Sequence, residues 1–269
     1  CGWSCAKPYV CMAAPFIEYL LLPCRDVARS LAVYTGVLGF TSRPGPGDVV
    51  ELTQAGAEGG GIRLLQTDGD PVPAATLDHT GPYGMTIYTT QFDSVMAELG
   101  DAAGSEPVGI SYTFPGTDTL VREGRVPGPD GVNVFLVEYD ESRHRCRLTG
   151  HPEHRVSEIA AVGFVVDDIE GAISNHESEL GASTYMNAKF DGPSVERMNG
   201  LYEGAELHVA FLRGVNPGNA RLELLQRART TAPAPGPVAG VRVVCRVPPT
   251  VSQAPISLVP GVFLDRIPA

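Results

Sequence analysis

A repeated unit limits the possible folds of this chain more than any other feature of its sequence. The apolar segment FIEYLLLPC, which begins at Phe16, leads to Asp26 and then to an amphipathic stretch that ends in Leu-Gly. IAAVGFVV, which begins at Ile159, leads in the same way to Asp168 and a second Leu-Gly, at an offset of 142 residues. Asp can accept hydrogen bonds from the free N–H groups of a first helical turn, and Gly commonly follows a helix end. Each copy therefore predicts a strand followed by a capped helix.

A weaker third copy extends the pattern. YGMTIYTTQFDSVMAELGDA again reads as strand, polar turn, helix and Leu-Gly, and three β-rich segments follow it. Residues 16–67 and 83–140 each read as strand–helix–strand–strand–strand, and 158–226 begins a third unit. Helices that can cover one face of a curved sheet give an α+β fold class, built here from repeated βαβββ units.

The units also predict domain boundaries. Residues 1–15 read as a leader or extension, 16–140 as a first domain of two complete units, and 141–157 as a polar linker. Residues 158–269 read as a second domain, and we expect it to be incomplete. After the Pro-rich stretch RARTTAPAPGPVAG, only residues 241–269 remain, and several prolines interrupt them.

Composition excludes several classes of function. Lys and Arg total 20 against 31 Asp and Glu, a formal net charge of −11, and such an acidic surface repels nucleic acid. No run of about 18 apolar residues is present, so we expect no membrane span. The six cysteines are too sparse and irregular for a disulfide framework, which favours reduced thiols and a cytoplasmic location.

The spacing Asp-x-x-x-Ser-x-x-x-Tyr-x-x-x-Leu-Gly-Phe from Asp26 to Phe40 resembles the vicinal oxygen chelate superfamily, which includes glyoxalase I, bleomycin-resistance proteins and extradiol dioxygenases. The Pro-Asp-Gly turn at 129–131, followed by VNVFLVEYD, is similar to its closing strand, and ELHVAFLRG is similar to its middle strands. The resemblance implies paired βαβββ units, each pair forming an open, U-shaped, mixed sheet around a cavity.

The resemblance also implies a divalent metal in that cavity, held by side chains on the first and fourth strands of two paired units. In the first pair these positions fall on Tyr19, Arg63, Gly84 and Phe135. None is a good ligand, and a guanidinium repels a cation. The second half offers Ala161 and Glu223, and one carboxylate cannot hold the ion alone. We therefore expect no cofactor and no metal site of the family type; a metal held by other ligands stays an alternative.

Strand alternation then predicts the cavity lining. Tyr19 and Arg63 would stabilise an oxyanion, and His79, on a loop before a cavity strand, would move a proton. The expected substrate-binding residues are Tyr88, Thr86, Phe135, Leu65 and Glu223. The alternatives are a collapsed core around these side chains, a solvent-exposed loop histidine, and a Glu223 that pairs with Arg221 or Arg213.

Three functions fit this description. The first is a metal-independent enzyme that acts on a small aromatic or polyketide-like metabolite by proton transfer, cyclisation or rearrangement, in bacterial secondary metabolism. The second is a bleomycin-resistance-type protein that sequesters a small aromatic molecule. The third is a metal-dependent dioxygenase or lyase whose ligands lie elsewhere. In each case the expected partner is a small molecule, and a homodimer is plausible.

Overall fold

The computed structural model describes residues 16–57, 59–68, 74–114, 117–144, 146–151, 153–213, 221–228, 234–235, 241–247, 256–259 and 262–268. The predicted leader at 1–15 lies outside these ranges. The helices are α1 Val27–Leu31, continued by a π-helical segment at Ala32–Val37, α2 Phe92–Ala103, α3 Ile169–Leu180 and α4 Pro193–Asn199. The strands are β1 Phe16–Cys24, β2 Thr41–Pro44, β3 Val49–Thr53, β4 Gly61–Gln66, β5 His79–Thr89, β6 Val108–Thr113, β7 Leu120–Pro127, β8 Asn133–Glu138, β9 Val156–Val165, β10 Ser183–Phe190, β11 Leu207–Arg213, β12 Arg221–Arg227, β13 Ala234–Pro235, β14 Arg242–Val247, β15 Ile256–Val259 and β16 Val262–Pro268.

The repeated Asp and Gly act at the helix ends as the sequence predicts. Asp26 Oδ1 accepts from the Arg29 N–H at 3.0 Å, and Asp168 Oδ1 accepts from the Gly171 N–H at 3.1 Å. Gly181 ends α3 with a φ of 62°, a conformation that glycine adopts without strain. The repeat therefore sets where each helix begins and ends.

One of the two sheets joins the second and third units. Its strand order is β10-β11-β12-β9-β5-β8-β7-β6, and the short β13 pairs with β5 off this path. The first strands of the two units meet antiparallel at the centre, where Gly84 lies opposite Gly163. Each first strand is also parallel to the closing strand of its own unit. These curled mixed sheets and their helices confirm the predicted α+β class.

The other sheet has the order β15-β16-β14-β1-β4-β3-β2. The first unit, 16–67, therefore pairs with the C-terminal strands, through β1 and β14, and not with 83–140. The expected pairing of those two units in one sheet is wrong. β14 fits the β1 edge because its Val243, Val244 and Cys245 are buried there. The unit 158–226 pairs with 83–140, so it has a full partner unit. The incomplete unit is the group of strands after residue 241, which pairs with the first unit and has no helix in its described residues.

The two sheets share one hydrophobic core. Their backbones also touch, since the Ile159 N–H donates to the Gly60 carbonyl at 3.0 Å. Ser30 Oγ of α1 donates to Asp130 Oδ1, in the turn before β8, at 2.8 Å. Among the described residues, no helix has the length and apolar character that a membrane crossing requires.

Candidate functional site

The nine-stranded sheet curls around a cavity of about 530 Å³. Helix α4 bridges its open side, because Arg197 Nη2 donates to the Gly109 carbonyl of the edge strand β6 at 2.6 Å. Val195 and Met198 of the same helix face the cavity. The aromatic residues of the lining are Tyr83, Tyr88, Tyr112, Phe114, Phe135, Tyr185, Phe190 and Phe211. Such walls suit a small, largely apolar ligand with a planar ring.

Two carboxyl groups line this cavity from opposite halves of the sheet. Glu123 lies on β7, and Glu223 lies on β12. The Tyr112 hydroxyl donates to Glu123 Oε2 at 2.9 Å. Burial, and then the nearby charge of Glu223, raise the pKa of Glu123 to about 7. A carboxyl group that ionises near neutral pH can accept or donate a proton in a reaction.

Arg221 forms the second part of the site. It lies two residues before Glu223 on β12, so both side chains lie on the same face of the strand. Its Nε and Nη2 lie 2.8 and 2.6 Å from Glu223 Oε1, and its Nη1 donates to the Tyr88 hydroxyl at 2.7 Å. The pairing of Glu223 with a nearby arginine, one of the sequence-based alternatives, is confirmed.

A histidine and three arginines, counting Arg221, lie at one end of the cavity. The His144 ring centre lies 4.1 Å from that of Tyr88. Burial, then the charges of Arg221 and Arg143, lower the pKa of His144 to about 4, so its ring is neutral at physiological pH. Arg213 lies over the Tyr185 ring at 4.8 Å. This end therefore has cationic groups and no charged histidine.

The cavity residues do not fit a divalent metal ion. The first and closing strands present Gly84, Gly163, Phe135 and Glu223 to the cavity. A Cβ at position 84 would lie 2.4 Å from the Phe135 ring, so the ring already fills the space of a ligand side chain there. Among these four residues, Glu223 alone offers a ligand oxygen, and the Arg221 guanidinium binds it. A divalent ion bound at Glu223 would need two or three further oxygen or nitrogen ligands.

The structure separates the predicted catalytic residues from the cavity. The Arg63 guanidinium lies 3.7 Å from the Tyr19 ring centre, and its Nη2 lies 2.6 Å from Glu51 Oε1. Both residues belong to the seven-stranded sheet, because β1 and β4 pair there. The expectation that Tyr19 and Arg63 share a cavity with Gly84 and Phe135 is therefore wrong.

The other predicted residues divide between the two sheets. His79 is the first residue of β5, outside the cavity lining, with its Nδ1 3.2 Å from Thr76 Oγ1. Leu65 lies on β4 opposite Val49, in the seven-stranded sheet. Thr86 is buried within β5 and is not part of the lining. The predicted residues that line the cavity are Tyr88, Phe135 and Glu223.

Sequence reasoning missed Glu123 and Tyr112. The segment TLVREGRV does indicate that Glu123 shares a strand face with the apolar Val121, because the two residues are two apart. That side becomes a cavity wall only because the second unit pairs with the third.

The one group of three ligand-type side chains found close together in the described ranges lies outside the cavity. It consists of His151, Glu153 and His154 in the linker region, and His154 Nδ1 already lies 2.8 Å from Arg147 Nη2.

We expect the cavity to bind no divalent metal. The double variant His151→Ala/His154→Ala removes the surface group and leaves the cavity unchanged. Added Ni²⁺, Mn²⁺ or Zn²⁺ at about 1 mM should not raise its melting temperature, because a ligand bound only to the folded state would raise it. One equivalent of metal retained by this variant after dialysis would contradict the expectation.

Solved structures share this architecture. A mutant of glyoxalase I from Zea mays is 17% identical over 86% of this chain and 74% of that chain, with a TM-score of 0.57. Another structure of Zea mays glyoxalase I gives 17% identity over the same shares and a TM-score of 0.55. A structure from Bacillus subtilis, 12% identical over 85% of this chain and 69% of that chain, has a TM-score of 0.52. No protein-family model and no curated protein matches the chain. The chain therefore shares the paired βαβββ fold of these glyoxalase I structures.

Proposed function

We propose that the protein is a metal-independent enzyme that binds a small aromatic molecule in the cavity of the nine-stranded sheet and moves a proton within it. The observation that carries the proposal is the placement of Glu123. Its carboxyl group is held by Tyr112 on a wall of aromatic rings and faces the half of the sheet that holds Glu223. The ring-rich lining supports an aromatic ligand, and the poor donor set supports a mechanism without a metal.

Glu123 is the proposed base. Its pKa of about 7 lets the carboxylate and the carboxylic acid coexist at working pH, as a group that takes and returns a proton requires. Tyr112 fixes the orientation of the carboxyl group. Proton removal can be the whole reaction, as in an isomerisation, or the first step of a cyclisation or rearrangement.

The test is hydrogen exchange at carbon. A panel of small aryl ketones and phenols is screened by thermal shift, and the ketones that bind are followed by NMR in deuterated buffer. We expect Glu123→Gln to slow deuterium incorporation by about 100-fold, because general-base catalysis contributes at least that much. Its affinity for the same compounds should change little, since glutamine has nearly the same shape.

Glu138→Gln is the matched control, because Glu138 is a carboxylate of β8 outside the cavity lining. It should leave exchange unchanged. Compounds that bind to the wild type without exchange above background would contradict the enzyme and favour the bleomycin-resistance-type binding protein. Exchange that appears only after a divalent metal is added would favour the metal-dependent alternative.

A further inference from the structure

Building on the proposed function, we propose that Arg221 and Tyr88 form an oxyanion site in place of a metal ion. The substrate class that follows is a compound with an aromatic or apolar body and an enolisable carbonyl group. Arg221 and Tyr88 line the same cavity as Glu123, and they lie on β12 and β5, strands that flank the central strand β9.

The hydrogen bonds of Arg221 leave donors for a substrate. A guanidinium has five N–H groups. The Nε–H and one N–H of Nη2 are directed to Glu223, and one N–H of Nη1 goes to the Tyr88 oxygen. The second N–H of each terminal nitrogen has no acceptor among the described residues. The Tyr88 O–H, whose oxygen accepts from Arg221, likewise has no acceptor among them.

The surroundings hold this cation in place. Glu223 fixes the guanidinium on one side, and the Phe211 ring lies 4.7 Å from its central carbon. The Arg221 side chain is only 16% exposed, so little water screens its charge. A fixed positive group in a poorly hydrated cavity stabilises a developing oxyanion strongly, which is the role that a metal ion would otherwise have.

The proposed step balances in electrons and protons. The C–H bond next to the carbonyl breaks, and its proton goes to the Glu123 carboxylate. The electron pair forms the C=C bond of an enolate, and the carbonyl electrons move to the oxygen that Arg221 and Tyr88 contact. Return of the proton to a different face or carbon completes an isomerisation without an oxidant or reductant.

The charges around the pair are compatible with an anion. The charged and titratable groups of the lining around it are Tyr83 on β5, Tyr112 on β6, Glu123 on β7, Arg143 and His144 after β8, Tyr185 on β10, Arg213 on β11 and Glu223 on β12. The charge of Glu223 is paired with Arg221, and Arg143 and Arg213 are two further cations of the lining. Glu123 becomes neutral as it takes the proton, so the new oxyanion does not face a second free carboxylate.

The probe is 4-nitrophenol, whose phenol and phenolate forms absorb at different wavelengths. Its ionisation is titrated free and bound to the full chain. An adjacent fixed cation lowers the pKa of an acid by about one unit or more, so the bound probe should ionise about one pH unit lower than the free probe. Arg221→Gln should abolish this shift. Tyr88→Phe keeps the Arg221–Glu223 pair and should reduce the shift by about half or more.

Arg227→Gln is the control, because Arg227 is on the same strand but pairs with Asp78 outside the cavity. It should retain the full shift. The inference is overturned if the wild type does not bind the probe, if the bound probe ionises at the same or a higher pH, or if the shift survives in both Tyr88→Phe and Arg221→Gln. A wild type that lowers the pKa of the bound probe but exchanges no hydrogen would contradict the proton-transfer function and still support the oxyanion site.

Discussion

Replacing Glu123 with glutamine is expected to stabilise the protein above neutral pH, although it should slow proton transfer by about 100-fold. Glu123 ionises near pH 7 in the folded protein and near pH 4.5 without its environment. Because the folded pKa is the higher one, its contribution to stability is fully present below about pH 4.5 and is lost as the pH rises through about 7. By pH 8 the loss amounts to about 3 kcal/mol, which glutamine avoids because it has no charge to bury.

The measurement is urea unfolding of wild type and Glu123→Gln at about pH 4, 6 and 8. The difference in unfolding free energy should be small at the lowest pH and should grow toward the highest. Glu138→Gln, an exposed position, should show no such growth. A difference that does not change with pH would show that Glu123 ionises normally. A carboxyl group retained at this cost in stability is typical of a functional site.

Much of the unit structure was predictable, because local signals determine it. Asp26 and Asp168 cap their helices, and Gly39 and Gly181 have the positive φ expected after a helix. These effects act within a few residues, so they are visible in the sequence without knowledge of the fold.

The pairing of units was not predictable, because the first strands are nearly interchangeable in pattern. β1, β5 and β9 are all rich in buried apolar residues, and each could accept either of the others at its edge. The observed choice depends on long-range fit. Gly84 and Gly163 meet at the centre of one sheet, and β14, about 220 residues after β1, pairs with β1 in the other.

This long-range pairing also explains the outcome for the site. The resemblance places Phe135 and Glu223 on the closing strands of their own units, and alternation from Gly84 places Tyr88; none of these placements depends on the partner unit. Tyr19 and Arg63 are expected in this cavity only because the unit 16–67 is expected to pair with 83–140. The sequence does not predict Glu123 as a site residue, because a charged residue in a short alternating strand usually faces solvent.

Removing the Glu223 carboxylate is expected to have the largest effect on stability. Glu223→Ala leaves the Arg221 guanidinium in the cavity wall without its anion, and both side chains are only 16% exposed. Breaking such a pair from one side typically destabilises a protein by about 3–5 kcal/mol. The measurement is denaturant unfolding at about pH 5, because Glu123 is then protonated and cannot replace the missing charge.

Glu206→Ala is the matched control, because Glu206 pairs with Lys189 at 2.7 Å where the two side chains are 40% and 62% exposed. Exposed pairs contribute about 0–1 kcal/mol, so this variant should be near wild type. The double variant Arg221→Met/Glu223→Leu removes both charges and should recover most of the loss, since an apolar pair leaves no unpaired ion in the wall. If Glu223→Ala and Glu206→Ala lost the same unfolding free energy, water would have to screen the Arg221 charge fully. The cavity would then lack the poorly hydrated cation on which the oxyanion site depends.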